Sequence, residues 1–162
     1  MNDAILAAIT TRLDEAGIEY RQLHHEPTRT SENSARVRGE SLASGGKALL
    51  LKTGDDFRLF VFSAARKLDS AAVKKRFDLR KLRFATPEEL AEQTGLVPGA
   101  VPPFGEPILP YPLVVDTSIT ENERIAFNAG SLTDSIIMSV DDYVRFAAPE
   151  VFSFSKGQDP VA

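Results

Sequence analysis

The chain has 162 residues, of which 43% are hydrophobic and 26% charged, with a formal net charge of -4 and no cysteine. These values are typical of one globular domain, and they exclude disulfides, a thiol nucleophile and a cysteine metal site. The net charge weakly disfavours a nucleic-acid partner, although the distribution of charge matters more than its sum. We expect a single domain over residues 1–162, located in the cytoplasm, with no membrane span and no signal peptide.

The first quarter of the chain predicts a helix, a strand and a second helix. Residues 2–16 place their apolar side chains on one helical stripe, and a glycine follows as a cap. Residues 18–23 predict a strand, which a proline soon afterwards forbids to continue. A short helix then runs to Arg38, with Thr30 or Ser31 as its N-cap.

Two adjacent histidines, His24 and His25, follow the predicted strand. Such side chains usually lie at the surface or are satisfied locally, so His25 is a catalytic candidate only if it faces Lys47. Two histidines by themselves make a poor metal-ligand set. We therefore predict no metal and no cofactor.

The chain is organised around a Gly-Gly pair that leads into a short apolar strand with Lys47 at its start. The glycines permit backbone conformations that are closed to other residues. Residues 47–53 and 57–64 predict a hairpin around a three-residue loop at 54–56. If Lys47 lies at the rim of an apolar interior, its ammonium needs an anionic or polar partner, which indicates a site. The alternative is that Lys47 extends to water from the strand end.

Residues 66–83 carry eight basic and two acidic side chains, a charge of +6, while the rest of the chain, with 11 basic and 21 acidic side chains, sums to -10. This cluster predicts either a solvated helix face or a surface that contacts a phosphate backbone. The candidates for such a contact are Arg66, Lys67, Lys74, Lys75 and Arg76.

A rigid loop is predicted in the middle of the chain. Residues 82–85 predict a short strand, and Thr86 begins a helix, as its cap, that ends at Gly95. Residues 96–105 contain three prolines and two glycines, which force an irregular path. This loop is either the wall of a pocket or a long structural connection.

Polar side chains follow the predicted strands in the last third of the chain. Residues 113–115 predict a strand that ends in Asp116, and residues 124–128 predict another that ends in Asn128. A last strand and a final helix follow, with a serine cap between them. No nucleotide-binding glycine loop, nucleophile elbow or zinc-protease motif occurs in the sequence. The candidates therefore suit positioning and electrostatic stabilisation of a substrate.

In their order and spacing these landmarks resemble the YbaK family, which is related to the editing domain inserted in bacterial prolyl-tRNA synthetases. The resemblance extends from residue 18 to residue 146. The matching stretches are Thr30-Ser31-Glu32, Lys47 with Leu49-Leu50-Leu51, Leu82-Arg83-Phe84-Ala85, Pro87-Glu88-Glu89-Leu90, Thr94-Gly95, the loop from Pro98 to Gly105, Val115-Asp116 and Phe127-Asn128-Ala129-Gly130. The family resemblance implies an α/β (α+β) domain whose mixed, barrel-like β-sheet is flanked by helices.

The resemblance also implies an activity. Members of the family hydrolyse mischarged aminoacyl-tRNA, chiefly tRNA for proline carrying alanine, cysteine or another small amino acid, so the implied partners are the acceptor end of aminoacyl-tRNA and prolyl-tRNA synthetase. Lys47 falls on the family's functional lysine and is the implied catalytic residue. The implied substrate-binding residues are Thr30, Gly99, Ala100, Pro103, Asp116, Asn128 and Gly130.

Two departures from the family pattern leave alternatives open. Ala48 stands where alanine-specific relatives favour asparagine, and Ser131 follows Gly130 where other subgroups carry a histidine. One alternative is a catalytically inactive module of the same fold that binds tRNA or a synthetase. Another is a hydrolase of a free small ester or amide.

Overall fold

The computed structural model describes residues 3–28 and 30–157. Its helices are α1 Asp3–Glu15, α2 Ser31–Arg38, α3 Ser70–Phe77, α4 Pro87–Thr94, α5 Thr117–Thr120 and α6 Val140–Ala147. Its strands are β1 Tyr20–His24, β2 Gly46–Thr53, β3 Asp56–Ser63, β4 Arg66–Leu68, β5 Leu82–Phe84, β6 Leu113–Val115, β7 Arg124–Asn128, β8 Asp134–Ser139, β9 Glu150–Val151 and β10 Ser155–Gly157. Within the described ranges, no helix is long and apolar enough to cross a membrane.

The strands form a mixed sheet, as predicted, together with two smaller antiparallel sheets. The larger sheet has the order β5-β2-β3-β6-β9, in which β6 is parallel to both of its neighbours and the other pairs are antiparallel. A three-stranded sheet has the order β1-β8-β7, and β4 pairs with β10. A single parallel bridge between Gly45 and Ala126 joins the start of β2 to β7. The five-stranded and three-stranded sheets are thereby linked two residues before Lys47.

The glycine pair before Lys47 is needed for space, which differs from the expectation of unusual backbone angles. Gly45 has a φ of -65°, which other residues adopt readily. A Cβ atom on Gly46, however, would lie 2.6 Å from a methyl carbon of the buried Ile125. Glycine therefore allows β2 to approach β7 closely.

Both faces of the larger sheet are covered. Ala48 and Leu50 of β2 face the main core, which contains α1, α6 and the smaller sheet. Leu51 faces a second apolar cluster, which includes Phe60, Phe62 and residues of α3. Side chains of β2 thus alternate between two faces, and each face meets a buried cluster.

The predicted hairpin forms with a shorter turn than expected. Thr53 pairs with Asp56, so the loop between β2 and β3 has two residues. Gly54 occupies its first position with a φ of 74°, as a two-residue turn with glycine there requires. The expectation of a three-residue loop was wrong because Asp56 continues the strand pairing.

The predicted helix caps are confirmed. The Thr30 hydroxyl accepts a hydrogen bond from the backbone of Asn33 and caps α2. Thr86 and Glu89 form a reciprocal capping box at α4, and Gly95 ends that helix in a left-handed conformation. These caps fix the ends of α2, which precedes β2, and of α4, which precedes the loop at residues 96–105.

Candidate active site

A cavity of about 240 Å³ lies between α2, the start of β2, the loop at residues 96–105 and the end of β7. Four of the predicted site residues line it: Thr30, Lys47, Gly99 and Asn128. The proline-rich loop contributes Pro98 as well as Gly99, so it forms a pocket wall, as one of the two interpretations of its sequence predicted.

Lys47, the second residue of β2, is half-buried and lines this cavity. Its Nζ lies 4.8 Å from the centre of the Phe62 ring, a cation-π distance. Burial lowers the pKa of Lys47, while the carboxylate of Glu32 acts in the opposite direction. The site therefore holds a partly desolvated ammonium, which interacts more strongly with a negative charge than an exposed lysine does.

The Gly99 loop is tied to the end of β7 by two hydrogen bonds. The Asn128 side chain donates from Nδ2 to the Gly99 carbonyl over 2.7 Å, and the Gly130 backbone donates to the Ala100 carbonyl over 3.0 Å. Gly99 has a φ of 89°, and a Cβ atom there would lie 3.2 Å from the side chain of Leu132. Glycine is thus required for both the backbone angle and the space.

Arg38, which sequence reasoning missed, contributes a second cation to the cavity. Its side chain is buried and donates from Nε to Ser135 Oγ and from Nη2 to Asn128 Oδ1, both over 2.9 Å. Burial lowers the pKa of Arg38 to about 10, opposed by the nearby charge of Glu40. The guanidinium still carries its charge at neutral pH.

Hydroxyl groups line the side of the cavity formed by α2. Ser34 Oγ donates to Thr28 Oγ1 over 2.9 Å, and both side chains are buried. The Thr30 hydroxyl, which was predicted to bind substrate, already accepts the bond that caps α2. Neither residue was predicted: Thr28 precedes a helix, where threonine first indicates a cap, and Ser34 is one of several serines within or beside α2 with nothing in the sequence to distinguish it.

Three predicted residues lie behind the cavity wall. Ala100 and Gly130 form the backbone bond described above and are not part of the lining. The Pro103 carbonyl accepts a hydrogen bond from the buried Tyr143 hydroxyl over 2.6 Å. The structure thus places these residues where they support the loop.

The structure places Asp116 away from the cavity. Its carboxylate accepts hydrogen bonds from the Ser118 backbone, the Phe154 backbone and both the backbone and the hydroxyl of Ser155. Burial by itself would raise the pKa of Asp116, but these hydrogen bonds outweigh it and lower the pKa. Asp116 therefore caps α5 and anchors the C-terminal segment.

The two histidines also lie outside the cavity lining. His24 Nδ1 lies 2.8 Å from the Asp134 carboxylate. His25 donates from Nδ1 to the Glu26 carbonyl, and its Nε2 lies 2.8 Å from Ser135 Oγ. The condition set for His25, that it face Lys47, is not met.

The basic residues of segment 66–83 are divided among several contacts. Arg66 donates from Nε to Ser155 Oγ, and Lys67 lies on β4, which pairs with β10. Arg76 pairs with Glu150 over 3.1 Å and stacks on the Phe152 ring. Lys74 lines a surface groove with Lys52, Lys81 and Arg83. The segment is therefore not one continuous cationic face.

Two cations thus meet in a cavity whose lining, among the described residues, includes no carboxylate and no histidine. No group of three or more metal-ligating side chains occurs within the described ranges. The arrangement supplies hydrogen-bond donors and positive charge but no general base of its own. It is suited to holding an anionic or polar substrate and stabilising developing negative charge.

The fold and this cavity define a mixed α/β protein whose pocket presents fixed hydrogen-bond donors and two cations. The chain belongs to the aminoacyl-tRNA editing domain family, whose model matches residues 25–146. The protein is accordingly an aminoacyl-tRNA deacylase, a hydrolase of the ester bond between an amino acid and tRNA.

Two curated relatives and one solved structure define this similarity. The chain is 34% identical over 150 residues to the multifunctional Ser/Thr-tRNA deacylase ProXp-y of Escherichia coli strain K12, covering 89% of each chain. It is 26% identical over 140 residues to the prolyl-tRNA editing protein ProX of Acetoanaerobium sticklandii, covering 83% of this chain and 85% of that one. A structure described as a candidate trans-editing enzyme for prolyl-tRNA synthetase superposes with a TM-score of 0.79 at 23% identity, over 94% and 97% of the two chains, which shows the fold.

Proposed function

We propose that this protein is a freestanding trans-editing enzyme that removes a small, incorrect amino acid from charged tRNA. The observation that carries the proposal is the meeting of Lys47, the Gly99 loop and Asn128 in one cavity. Because aminoacyl-tRNA is made and used in the cytoplasm, the proposal places the enzyme there.

The proposed reaction is ester hydrolysis by water. The water oxygen attacks the ester carbonyl carbon, the bond from that carbon to the ribose oxygen breaks, and a proton from water ends on the ribose oxygen. Lys47 holds the terminal nucleotide and stabilises the negative charge that develops on the carbonyl oxygen. The serine and threonine hydroxyls of the cavity have no histidine or carboxylate base among the described lining residues, so the proposal involves no covalent intermediate.

The side chain of the removed amino acid is proposed to be small. The rigid loop around Gly99 excludes bulk more readily than it recognises one extra methylene, which is worth only about 1 to 3 kcal/mol. The hydroxyls of Thr28 and Ser34 in the wall favour serine or threonine, and the similarity to a Ser/Thr-tRNA deacylase supports this choice.

The competing substrate is tRNA for proline that carries alanine or cysteine. The similarity to a prolyl-tRNA editing protein supports it, and a prolyl-tRNA synthetase would then be the expected partner. Incubation with tRNAs charged with serine, threonine, alanine, cysteine or proline distinguishes the two substrates by the rate of amino-acid release. Release of correctly attached proline at an equal or higher rate would contradict the preference for a small side chain.

The role of Lys47 predicts a loss of rate on its removal. Lys47→Ala is expected to lower deacylation on the order of a hundredfold to a thousandfold, because one electrostatic contact to the developing charge disappears. Lys47→Arg keeps the charge at a different position and is expected to recover part of the rate. Deacylation by Lys47→Ala at the parent rate, in a protein with an unchanged melting temperature, would reject this role.

One alternative is a catalytically inactive binding module. The presence of Ala48, where alanine-specific relatives favour asparagine, supports this alternative. It predicts retention of charged tRNA without release of amino acid across the whole panel. A hydrolase of free small esters predicts equal activity on the charged terminal adenosine alone. The proposed trans-editing enzyme is expected to act faster on the intact charged tRNA than on that fragment.

We also propose that the basic segment contacts the body of the tRNA. The residues proposed are Arg66, Lys67, Lys74, Lys75 and Arg76, because clustered cations bind a phosphate backbone even on an acidic protein. The ion pair of Arg76 with Glu150 reduces what Arg76 contributes. Lys74 and Lys75, for which no ion pair is found within the described ranges, carry most of this proposal.

A further inference from the structure

Arg38 lies in the wall of the cavity as a buried cation without a carboxylate partner. Its side chain is 7% exposed, and among the described residues no acidic group lies within ion-pair distance of it. Glu40, which influences Arg38 through its charge, pairs instead with Arg21 and Arg124. A buried charge is costly unless polar groups satisfy it. The hydrogen bonds of Arg38 to Ser135 and Asn128 therefore stabilise its buried guanidinium.

Those contacts determine which way the Asn128 amide points. Asn128 Oδ1 accepts from Arg38 Nη2 over 2.9 Å and lies 3.3 Å from Ser135 Oγ, while Nδ2 donates to the Gly99 carbonyl. If the amide were turned over, its NH2 group would face the guanidinium and its oxygen would face the Gly99 carbonyl. Both contacts would then be repulsive, so Arg38 selects the orientation that holds the loop.

The loop position in turn sets the width of the cavity. The Gly99 carbonyl is held by Asn128, and the next carbonyl, of Ala100, is held by the Gly130 backbone over 3.0 Å. Gly99 itself lines the cavity together with Lys47. A loop that loses the first of these bonds depends on the second alone.

We propose that Arg38 is a positioning residue of the deacylase, which acts on the reaction through Asn128 by fixing the Gly99 loop at the distance that admits a small aminoacyl group. The inference rests on the proposed function for its kinetic consequence, but the linkage itself is a property of the fold. It assigns Arg38 no contact with the reacting atoms.

The variant that tests it is Arg38→Lys, which keeps a cation but loses the planar fork that reaches Ser135 and Asn128 together. Displacement of a loop by about 1 Å costs up to a hundredfold, so we expect kcat/KM for the preferred small aminoacyl-tRNA to fall on the order of tenfold to a hundredfold. The ratio of small amino-acid release to proline release is expected to fall on the order of tenfold, because a looser loop excludes bulk less well. The matched control is Arg36→Lys, the same change on the exposed side of the same helix, with parent kinetics expected.

A double-mutant cycle separates action through Asn128 from a direct effect on substrate. If Arg38 acts through Asn128, Arg38→Lys changes kcat/KM less than twofold in an Asn128→Ala background. Effects that multiply in full would overturn the proposal and assign Arg38 an independent role. Where Asn128→Ala fails to fold, Asn128→Asp serves in its place, because it keeps both acceptor contacts and cannot donate to Gly99.

Amide hydrogen exchange provides a readout that does not depend on activity. The Gly130 amide reports the bond to the Ala100 carbonyl, so its exchange is expected to accelerate at least tenfold in Arg38→Lys and to stay at the parent rate in Arg36→Lys. Unchanged exchange together with unchanged selectivity would overturn the proposal. If the parent protein releases no amino acid from any charged tRNA, the proposed function is rejected. Accelerated exchange of the Gly130 amide in Arg38→Lys would still support the structural linkage in that case.

Discussion

Asp116 occupies a kind of position at which an aspartate can have either of two roles. An aspartate at the end of a buried strand indicates either a ligand-binding group or a helix cap, and the sequence contains no signal that separates them. The structure surrounds this carboxylate with donors from α5 and from the C-terminal segment. Its contribution is therefore expected in stability rather than in catalysis.

Replacement of Asp116 by asparagine tests this assignment. Because an amide turns an NH2 group towards backbone donors, Asp116→Asn is expected to lower the free energy of unfolding by roughly 2 to 3 kcal/mol at neutral pH. The folded-state pKa is lowered, so the stabilisation by the carboxylate is present above the ordinary aspartate pKa of about 3.9 and is lost as the pH falls through the folded value. Urea denaturation should thus show the two proteins converging below about pH 4; a constant difference at all pH values would contradict the assignment.

The other residues of the site differ in how visible they are in the sequence. Lys47 and Gly99 stand out because a cation beside an apolar strand and a glycine between prolines each break a local pattern. Arg38 does not stand out, since a basic residue at the last position of a helix is already explained by the helix dipole. Its burial follows from the packing of α2 against β7 and β8, which only the tertiary structure reveals.

At the level of elements, the helices with a clear period or caps, the β2–β3 hairpin and the short strands β5 and β6 were predictable, whereas the strands β4, β9 and β10 were not. The helices α1, α2 and α4 and the β2–β3 hairpin carry either a clear period or a cap at each end. The strands β4, β9 and β10 have two or three residues each, too few for any period. The contact between β2 and β7 was also hidden, because it consists of an isolated bridge between Gly45 and Ala126 and the close approach of Gly46 to Ile125.

That contact yields a prediction for Gly46. A methyl group there would meet the fully buried Ile125 at 2.6 Å, so Gly46→Ala is expected to destabilise the fold by about 1 to 3 kcal/mol through overpacking. Deacylation should fall as well, because the displaced residue adjoins Lys47. Thermal unfolding and kcat/KM measure the two effects.

The matched control for this change is Gly157→Ala. No atom outside its immediate neighbours lies within 4 Å of the added Cβ, and the residue adopts no left-handed conformation. Its stability is expected to change by less than about 0.5 kcal/mol. Equal stability of the two alanine variants would show that β2 and β7 accommodate the methyl group without cost.

At the scale of the whole molecule, an acidic protein must bind a polyanion. The groove at the far end of β2 is lined by four basic residues, Lys52, Lys74, Lys81 and Arg83, and by one acidic residue, Asp55, so its lining is net positive. Lys52 lies five residues along the strand from Lys47, which corresponds to roughly 17 Å. Lys52 also lies directly opposite Arg83 in the β2–β5 pair, an arrangement of like charges that destabilises a sheet unless an anion or acid compensates it.

Arg83 has such a compensating acid, whereas no ion pair is found for Lys52 within the described ranges. Arg83 forms two hydrogen bonds with Glu89, of 2.6 and 3.0 Å. We therefore expect the lysines of this groove to contact the phosphates of a tRNA whose charged end is proposed to occupy the cavity. The expected tRNA contacts therefore include Lys52 of β2 and Lys81 as well as Lys74 of α3.

Salt dependence of tRNA binding tests this arrangement. Each phosphate contact on a duplex contributes about 0.9 to the slope of log affinity against log salt, so changing Lys52, Lys74 and Lys81 to glutamine should flatten the slope by as much as about 2 to 3. The control changes three exposed cations elsewhere, Arg12, Arg36 and Lys156, to glutamine and reaches the same net charge. If both triple variants flatten the slope equally, net charge alone explains the binding; if neither does, while circular dichroism stays native, the tRNA body lies on another face of the protein.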